Sequence, residues 1–237
     1  LDASALEEDN DSVCKALLMN GLERFPDSFD LWKVVIDLEK ATNPQGVQQL
    51  FDRALSKLPL SKEMWLLAIQ EAVSSNYDER VLDLYARAKV SIRSSEDIYV
   101  RVGKFEKSRS RIKEARVIFE EGRRTIMKCP MIWLETIQLE LDEGKEHEAR
   151  QLCKQAFDLC PDAPDLYLCL ANYEAKSSMT KARSILERGR LRNPLCPRLW
   201  LTAVKLERSL GNTTVAENLM SQALQKCPNA GILHANE

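Results

Sequence analysis

Apolar residues recur along the chain in two interleaved columns. The first is aromatic: Trp32, Trp65, Tyr99, Trp133, Tyr167 and Trp200, in steps of 33, 34, 34, 34 and 33 residues. One further step lands on His234. The second column follows each aromatic by 15 or 16 residues at Val47, Val81, Ala115, Ala149, Ala182 and Ala216, and Val13 fits one unit earlier. Three residues on come Leu50, Leu84, Ile118, Leu152, Ile185 and Leu219, and seven on come Ala54, Ala88, Gly122, Ala156, Gly189 and Ala223. Spacings of 3 and 7 put these residues on one helical face. The small residues among them let a second helix approach closely. CPMIWLETIQLE (129–140) and CPRLWLTAVKLE (196–207) show the period almost verbatim.

Breakers punctuate the columns. Phe25-Pro26, Leu58-Pro59, Cys129-Pro130, Cys160-Pro161, Asn193-Pro194 and Cys227-Pro228 mark helix stops or starts, because proline cannot continue a helix and restrains the residue before it. Asn43-Pro44, Ser74-Ser75-Asn76, Gly144, Ser177-Ser178 and Gly211-Asn212 fall between the columns as turns. Each unit reads as helix A, a short turn, helix B and a Pro-marked turn. Such a hairpin cannot bury both faces alone, so stacked neighbours share a core. The expected fold is all-α: an α-solenoid, a right-handed superhelix of antiparallel helix pairs. The expected organisation is one array, with a half unit at 1–26, units at about 27–59, 60–94, 95–128, 129–161, 162–194 and 195–228, and a half unit at 229–237. Leu6-Glu7 reads as the tail of a helix A. The half units at both ends read as those of a fragment of a longer protein.

Composition narrows the function. The 237 residues are 30% charged with a formal net charge of −2. No apolar run reaches the length of a membrane helix, and residues 1–20 show no basic stretch followed by the apolar run of a secretory leader. The seven cysteines are scattered and never form CxxC, which predicts reduced, mostly packed thiols in the cytosol or nucleus. With two histidines there is little to build a His/Cys metal site. No phosphate loop, nucleophile elbow or HExxH occurs. The expectation is a protein without catalytic residues, metal or cofactor, and with no small-molecule substrate or membrane partner.

A glutamate follows the aromatic by seven at Glu39, Glu106, Glu140, Glu174 and Glu207; the unit anchored on Trp65 has Ala72 there and lacks a closing proline. Seven residues is close to two turns, so each carboxylate sits at the edge of the core and needs a partner. Arg116, Arg150 and Arg183 lie nine or ten residues after Glu106, Glu140 and Glu174, across the A–B turn. This predicts an Arg–Glu pair inside each hairpin; in the last unit Glu217 stands at the Arg position, so Glu207 must find another donor. The aromatics and glutamates are expected to be structural anchors. Residues 101–128 carry ten Lys or Arg against four Glu, and 176–198 carry seven against one. Arg109, Arg111, Lys113, Arg123 and Arg124 are the first candidates for contact with RNA or an acidic partner. Few spare aromatics are available for base stacking, so a solvated face or a protein partner is favoured over direct RNA contact.

The W-x6-E pattern of helix A, with Ala-Arg at 115–116, 149–150 and 182–183, resembles the half-a-tetratricopeptide (HAT) repeat, a relative of the tetratricopeptide repeat. The stretch ARSILERGRLRNPLCPRLWLTAVKLERSLGNTTVAENLMSQALQKCPNAGIL, residues 182–233, resembles the C-terminal repeats of the pre-mRNA-processing factor six family. Tyr or His in place of Trp at 99, 167 and 234 departs from the pattern. The resemblance implies a nuclear protein–protein scaffold of splicing that bridges components of the tri-snRNP, with other spliceosomal snRNP proteins as partners. A HAT scaffold of mRNA 3′-end cleavage and a tetratricopeptide-type adaptor for short peptides are the competing readings.

Overall fold

The computed structural model describes residues 3–43, 45–93 and 95–231, with backbone alone for residues 3–12. Pro44, His234 and most of the half unit at 229–237 lie outside the described residues. Thirteen helices and no strand occur among those residues: α1 (Ala3–Arg24), α2 (Phe29–Thr42), α3 (Val47–Lys57), α4 (Lys62–Ser74), α5 (Asp78–Ser91), α6 (Glu96–Ser108), α7 (Ile112–Thr125), α8 (Pro130–Asp142), α9 (Glu146–Leu159), α10 (Pro164–Glu174), α11 (Met179–Arg192), α12 (Pro197–Ser209) and α13 (Thr213–Lys226). They fall into two compact units, Leu1–Ile98 and Tyr99–Glu237. Each has the all-α build of stacked antiparallel pairs that defines an α-solenoid. In the second unit α8 packs on α9, α10 on α11 and α12 on α13, while α7 packs on α8 and α11 on α12 to join successive pairs.

The local chemistry explains the helix ends. Ser28, Ser61 and Ser178 are N-caps whose hydroxyls accept from the amides of Leu31, Met64 and Lys181. Pro130, Pro164 and Pro197 open α8, α10 and α12, where the missing N–H costs nothing. Four of the A–B turns put a left-handed residue 11 places after the aromatic. Asn76, Ser110, Gly144 and Gly211 occupy it with φ of 57°, 60°, 72° and 75°, whereas Asn43 and Ser178 at that place have φ of −145° and −151°. Only the two glycines take that conformation without a Cβ penalty.

All six aromatics are buried, as are Val47, Val81, Ala115, Ala149, Ala182 and Ala216 and all six residues of the third column, Ala54 to Ala223. The third column is where helices come closest. A Cβ on Gly122 would stand 3.0 Å from Tyr99 Cγ, and one on Gly189 3.0 Å from Tyr167 Cβ. The tyrosine anchors thus meet glycine, whereas the tryptophan anchors have alanine at that position.

The N-terminal region differs from the sequence expectation. Leu6-Glu7 is not the tail of a separate helix A, because α1 runs unbroken for 22 residues. No glycine or proline interrupts the chain before Gly21. Val13 therefore gains no hairpin mate and is exposed.

Candidate interaction surface

Each buried aromatic carries a polar atom that must be satisfied. Four anchors donate to the backbone carbonyl six residues earlier, in the turn that precedes helix A: Trp32 Nε1 to Pro26 (2.8 Å), Trp65 Nε1 to Pro59 (2.9 Å), Trp200 Nε1 to Pro194 (2.8 Å) and Tyr167 Oη to Pro161 (3.1 Å). Trp133 does the same to Met127 at 2.8 Å. The recurrent proline thus shapes the turn whose carbonyl receives the anchor. The sequence held this signal, a proline six residues before four of the six aromatics, yet it reads there only as a helix stop. Tyr99 instead reaches Thr125 Oγ1 of its own hairpin at 3.5 Å.

The glutamates are buried, as expected, but they pair differently. Arg116 binds Glu140, Arg150 binds Glu174 and Arg183 binds Glu207, each through Nε at 2.6 Å with Nη2 as second donor. Partners are 24 residues apart. The arginine at the start of helix B therefore clasps the glutamate of the following helix A, not that of its own hairpin. Helix geometry gives the reason: Ala115, Ala149 and Ala182 face their own helix A, and the next residue is turned by 100° toward the neighbour. Glu207 finds its donor in Arg183, and Lys15 pairs with Glu39 at the same separation of 24. Position 82 is Leu, and Glu106 instead meets Arg111 at the turn, Nη1 to Oε2 3.3 Å. Turn amides add a second hold, Asn43 on Glu39 and Asn212 on Glu207.

These ties set the electrostatics. The hydrogen bond from Arg183 holds the Glu207 carboxyl below its ordinary value against the opposing effect of burial, and Asn212 assists. Hydrogen bonds to their glutamates raise Arg116, Arg150 and Arg183 above theirs. Burial lowers Arg123 and Arg190, which lie over the indoles of Trp133 and Trp200.

The basic stretches are largely consumed by such contacts. Lys104 pairs with Glu135, Lys107 with Asp142 and Arg198 with Asp165. Of the five candidates for contact with RNA or an acidic partner, Arg109 lies over the Phe105 ring, Arg111 meets Glu106, Arg123 covers Trp133 and Arg124 pairs with Glu120 at 2.6 Å. Lys113 is exposed. The five do not converge. Arg109, Arg111 and Lys113 sit at the α6–α7 turn, while Arg123 and Arg124 are at the far end of α7, about 15 Å away at 1.5 Å per residue.

A surface groove of about 380 Å³ runs over α8 and α10 to Arg198 of α12, lined in part by Gln138, Cys169, Asn172 and Lys176. It offers hydrogen-bonding amides, a thiol and charges of both signs above a leucine floor, which suits contact with a peptide chain. Among the described residues no group of three or more His, Cys, Asp or Glu could hold a metal, and no helix is long and apolar enough to cross a membrane. All seven cysteines are free.

Residues 26–142 match the family model of the PRP39 C-terminal HAT repeat. The chain is 32% identical over 87 residues to pre-mRNA-splicing factor prp1 of Schizosaccharomyces pombe, a match covering 35% of this chain and 10% of that protein. It is 32% identical over 107 residues to pre-mRNA-splicing factor 6 of Saccharomyces cerevisiae, covering 44% of this chain and 12% of the relative. The matches thus span about a tenth of the length of these relatives. Among solved structures, the type IV pilus biogenesis factor PilW superposes with a TM-score of 0.52 at 17% identity, covering 86% of this chain and 94% of its own. Pseudomonas aeruginosa PilF gives 0.51 at 15%, covering 87% and 97%. At such identities these two share the fold alone. With the aromatic, glutamate and small-residue columns in place through both units, the chain is an array of helix pairs whose residues 26–142 match the HAT repeat and which resembles the splicing factors prp1 and factor 6.

Proposed function

We propose that this chain acts without catalysis, as part of a nuclear scaffold of pre-mRNA splicing that holds components of the spliceosomal tri-snRNP together. The similarity of its repeats to two splicing factors from different yeasts carries this reading. The physical picture agrees with it. The recurring residues go into stacking, and what remains for a partner is helix surface and groove, suited to binding and not to turnover. Its partners are other spliceosomal proteins. Most arginines of the basic stretches are already tied to glutamates or laid over rings, which leaves few to neutralise phosphates.

The test uses the full-length protein from its own cells, precipitated gently, with the co-purifying RNA sequenced. The spliceosomal small nuclear RNAs of the tri-snRNP should come down together. Messenger 3′ ends, or no enriched RNA, would overturn the reading.

A further inference from the structure

In the second unit each later anchor is covered by a side chain placed ten residues before it, on the preceding helix B. The Arg123 guanidinium carbon stands 4.9 Å from the centre of the Trp133 ring, and that of Arg190 4.8 Å from Trp200. Phe157 stacks on Tyr167 at 4.4 Å with 13° between the planes. In the first unit the same position holds Leu22 before Trp32 and Leu55 before Trp65. Both leucines are buried, but a leucine ends two atoms short of a guanidinium carbon.

The space beside them is open. One cleft of about 350 Å³ lies between the ends of α1 and α3, with Pro26 and Trp32 at its base and Arg53 and Lys57 on its wall. A second of about 470 Å³ lies between α3 and α5, lined by Pro59, Trp65, Ala86 and Val90. They are one cleft repeated: Pro26 and Pro59, Trp32 and Trp65, Lys57 and Val90 are each 33 residues apart, and Ser56 borders both. Apolar side chains stand open to water on the rim or beside it. Phe25, next to Pro26, is 65% exposed; Leu60, next to Pro59, 75%; and Val90 73%. Apolar surface gathered this way marks a contact site.

We propose that this face of the first unit binds a short segment of a partner protein, one that carries acidic residues and two bulky apolar side chains, one for each cleft. The two clefts lie on either side of α3, and a helix with its side chains is about 10–12 Å across, so the two side chains are about 10 Å apart. That is three residues along a polyproline-II chain at ~3.1 Å each, whose period of three keeps both on one side, or seven along a helix at 1.5 Å each. The charge follows from the walls. Arg53 and Lys57 are exposed at the first cleft against the single acid Glu23. Arg87 at the second is held by Asp52 and Asp83, 2.8 and 3.2 Å away, and lies over Trp65 at 5.7 Å. Acidic residues therefore belong at the first cleft. RNA fits less well, because Trp32 and Trp65 are each 3% exposed and leave no ring face for a base.

The proposal rests on the scaffold reading but fails separately from it. The 237-residue chain is titrated with fluorescein-labelled acidic peptides carrying two leucines, three apart in one and seven apart in the other. One register should bind, and Ser56→Glu, an exposed change that puts a carboxylate in the wall common to both clefts, should weaken it at least tenfold. The same peptide with serines for leucines should not bind, and an RNA oligonucleotide should not compete. Binding in neither register, equal binding by the Ser56→Glu protein, equal binding of the serine peptide or competition by RNA would overturn it. If the peptides fail while the full-length protein still co-purifies the small nuclear RNAs, the cleft is wrong and the scaffold stands. If those RNAs are absent, the scaffold reading itself falls.

Discussion

Gly103 and Phe119 offer the sharpest test of the packing argument. Gly103 lies four residues after the Tyr99 anchor, where the sister repeats carry Ile36, Ile69, Ile137, Ala171 and Val204. An added Cβ would stand 2.3 Å from Phe119 Cε1, 2.5 Å from Cζ and 2.9 Å from Cδ1. The ring would have to retreat by about 1 Å, and Phe119 is fully buried, so it has nowhere to go. Overpacking of this kind costs about 1–3 kcal/mol. Alanine in a helix interior returns about 1 kcal/mol relative to glycine. With the ring against a closed wall, the cost sits at the upper end, and Gly103→Ala should destabilise the second unit by about 2 kcal/mol. For a unit of this size that lowers Tm by roughly 4–8 °C. Phe119→Leu should open the space. Ala171 and Leu186 occupy these two positions in a sister repeat, so the double variant should lose less than the sum of the two single changes. Thermal unfolding by circular dichroism reads the shift. Hydrogen exchange on α6 and α7 localises it, since stacked repeats need not unfold together. A rise in Tm for Gly103→Ala, or strict additivity with Phe119→Leu, would refute the reasoning.

Three further outcomes follow from the same geometry. Arg150→Met leaves the buried Glu174 with only Lys181 at 3.9 Å and should cost about 1–3 kcal/mol; Arg150→Met with Glu174→Met should cost less than Arg150→Met alone, and a double-mutant cycle showing no coupling would count against the clasp. Glu207 has a depressed pKa, so its contribution is fully present above the ordinary value of 4.5 and fades as pH falls through the folded value. The Tm gap between the unaltered protein and Glu207→Gln should therefore close on acidification below about pH 5, and a gap that widened there would reverse the sign. Burial pushes the Cys153 thiol up to about 12, whereas Cys14 is exposed. Iodoacetamide at pH 8 should label Cys14 first and Cys153 only on unfolding, and equal labelling rates by peptide mass spectrometry would show that the packing of α9 is looser than described.

The fold was legible because stacking is periodic. The aromatic, small-residue and glutamate columns each repeat at 33 or 34 residues, and each is buried where the period put it. What misled was contact across the stack. A sequence shows that Arg116 lies ten residues after Glu106 and 24 before Glu140, and nearness along the chain favours the first. The structure chooses the second, because the direction in which a helical residue points depends on its turn about the axis and not on its distance along the chain. Residues 3–12 misled for a different reason. A pattern with no anchor and no breaker cannot place a turn, and the chain there continues as one helix.

Recurrence also sorts the residues by role. A side chain present in every repeat at the same position serves the contact that every repeat makes, which is stacking. Specific recognition must use what does not recur. By that argument the anchors and their glutamates are excluded from partner choice, and so are Arg116, Arg150 and Arg183, which the clasp holds. Arg123 and Arg190 lie on indoles and are excluded with them. Two surfaces remain that are not common to every repeat: the groove over α8 and α10 with Asn172 and Lys176, and the clefts at Trp32 and Trp65, where leucine stands in place of the arginine found before Trp133 and Trp200. Loss of partner binding from changes there, with the helical fold intact, is what separates a scaffold's chemistry from its architecture.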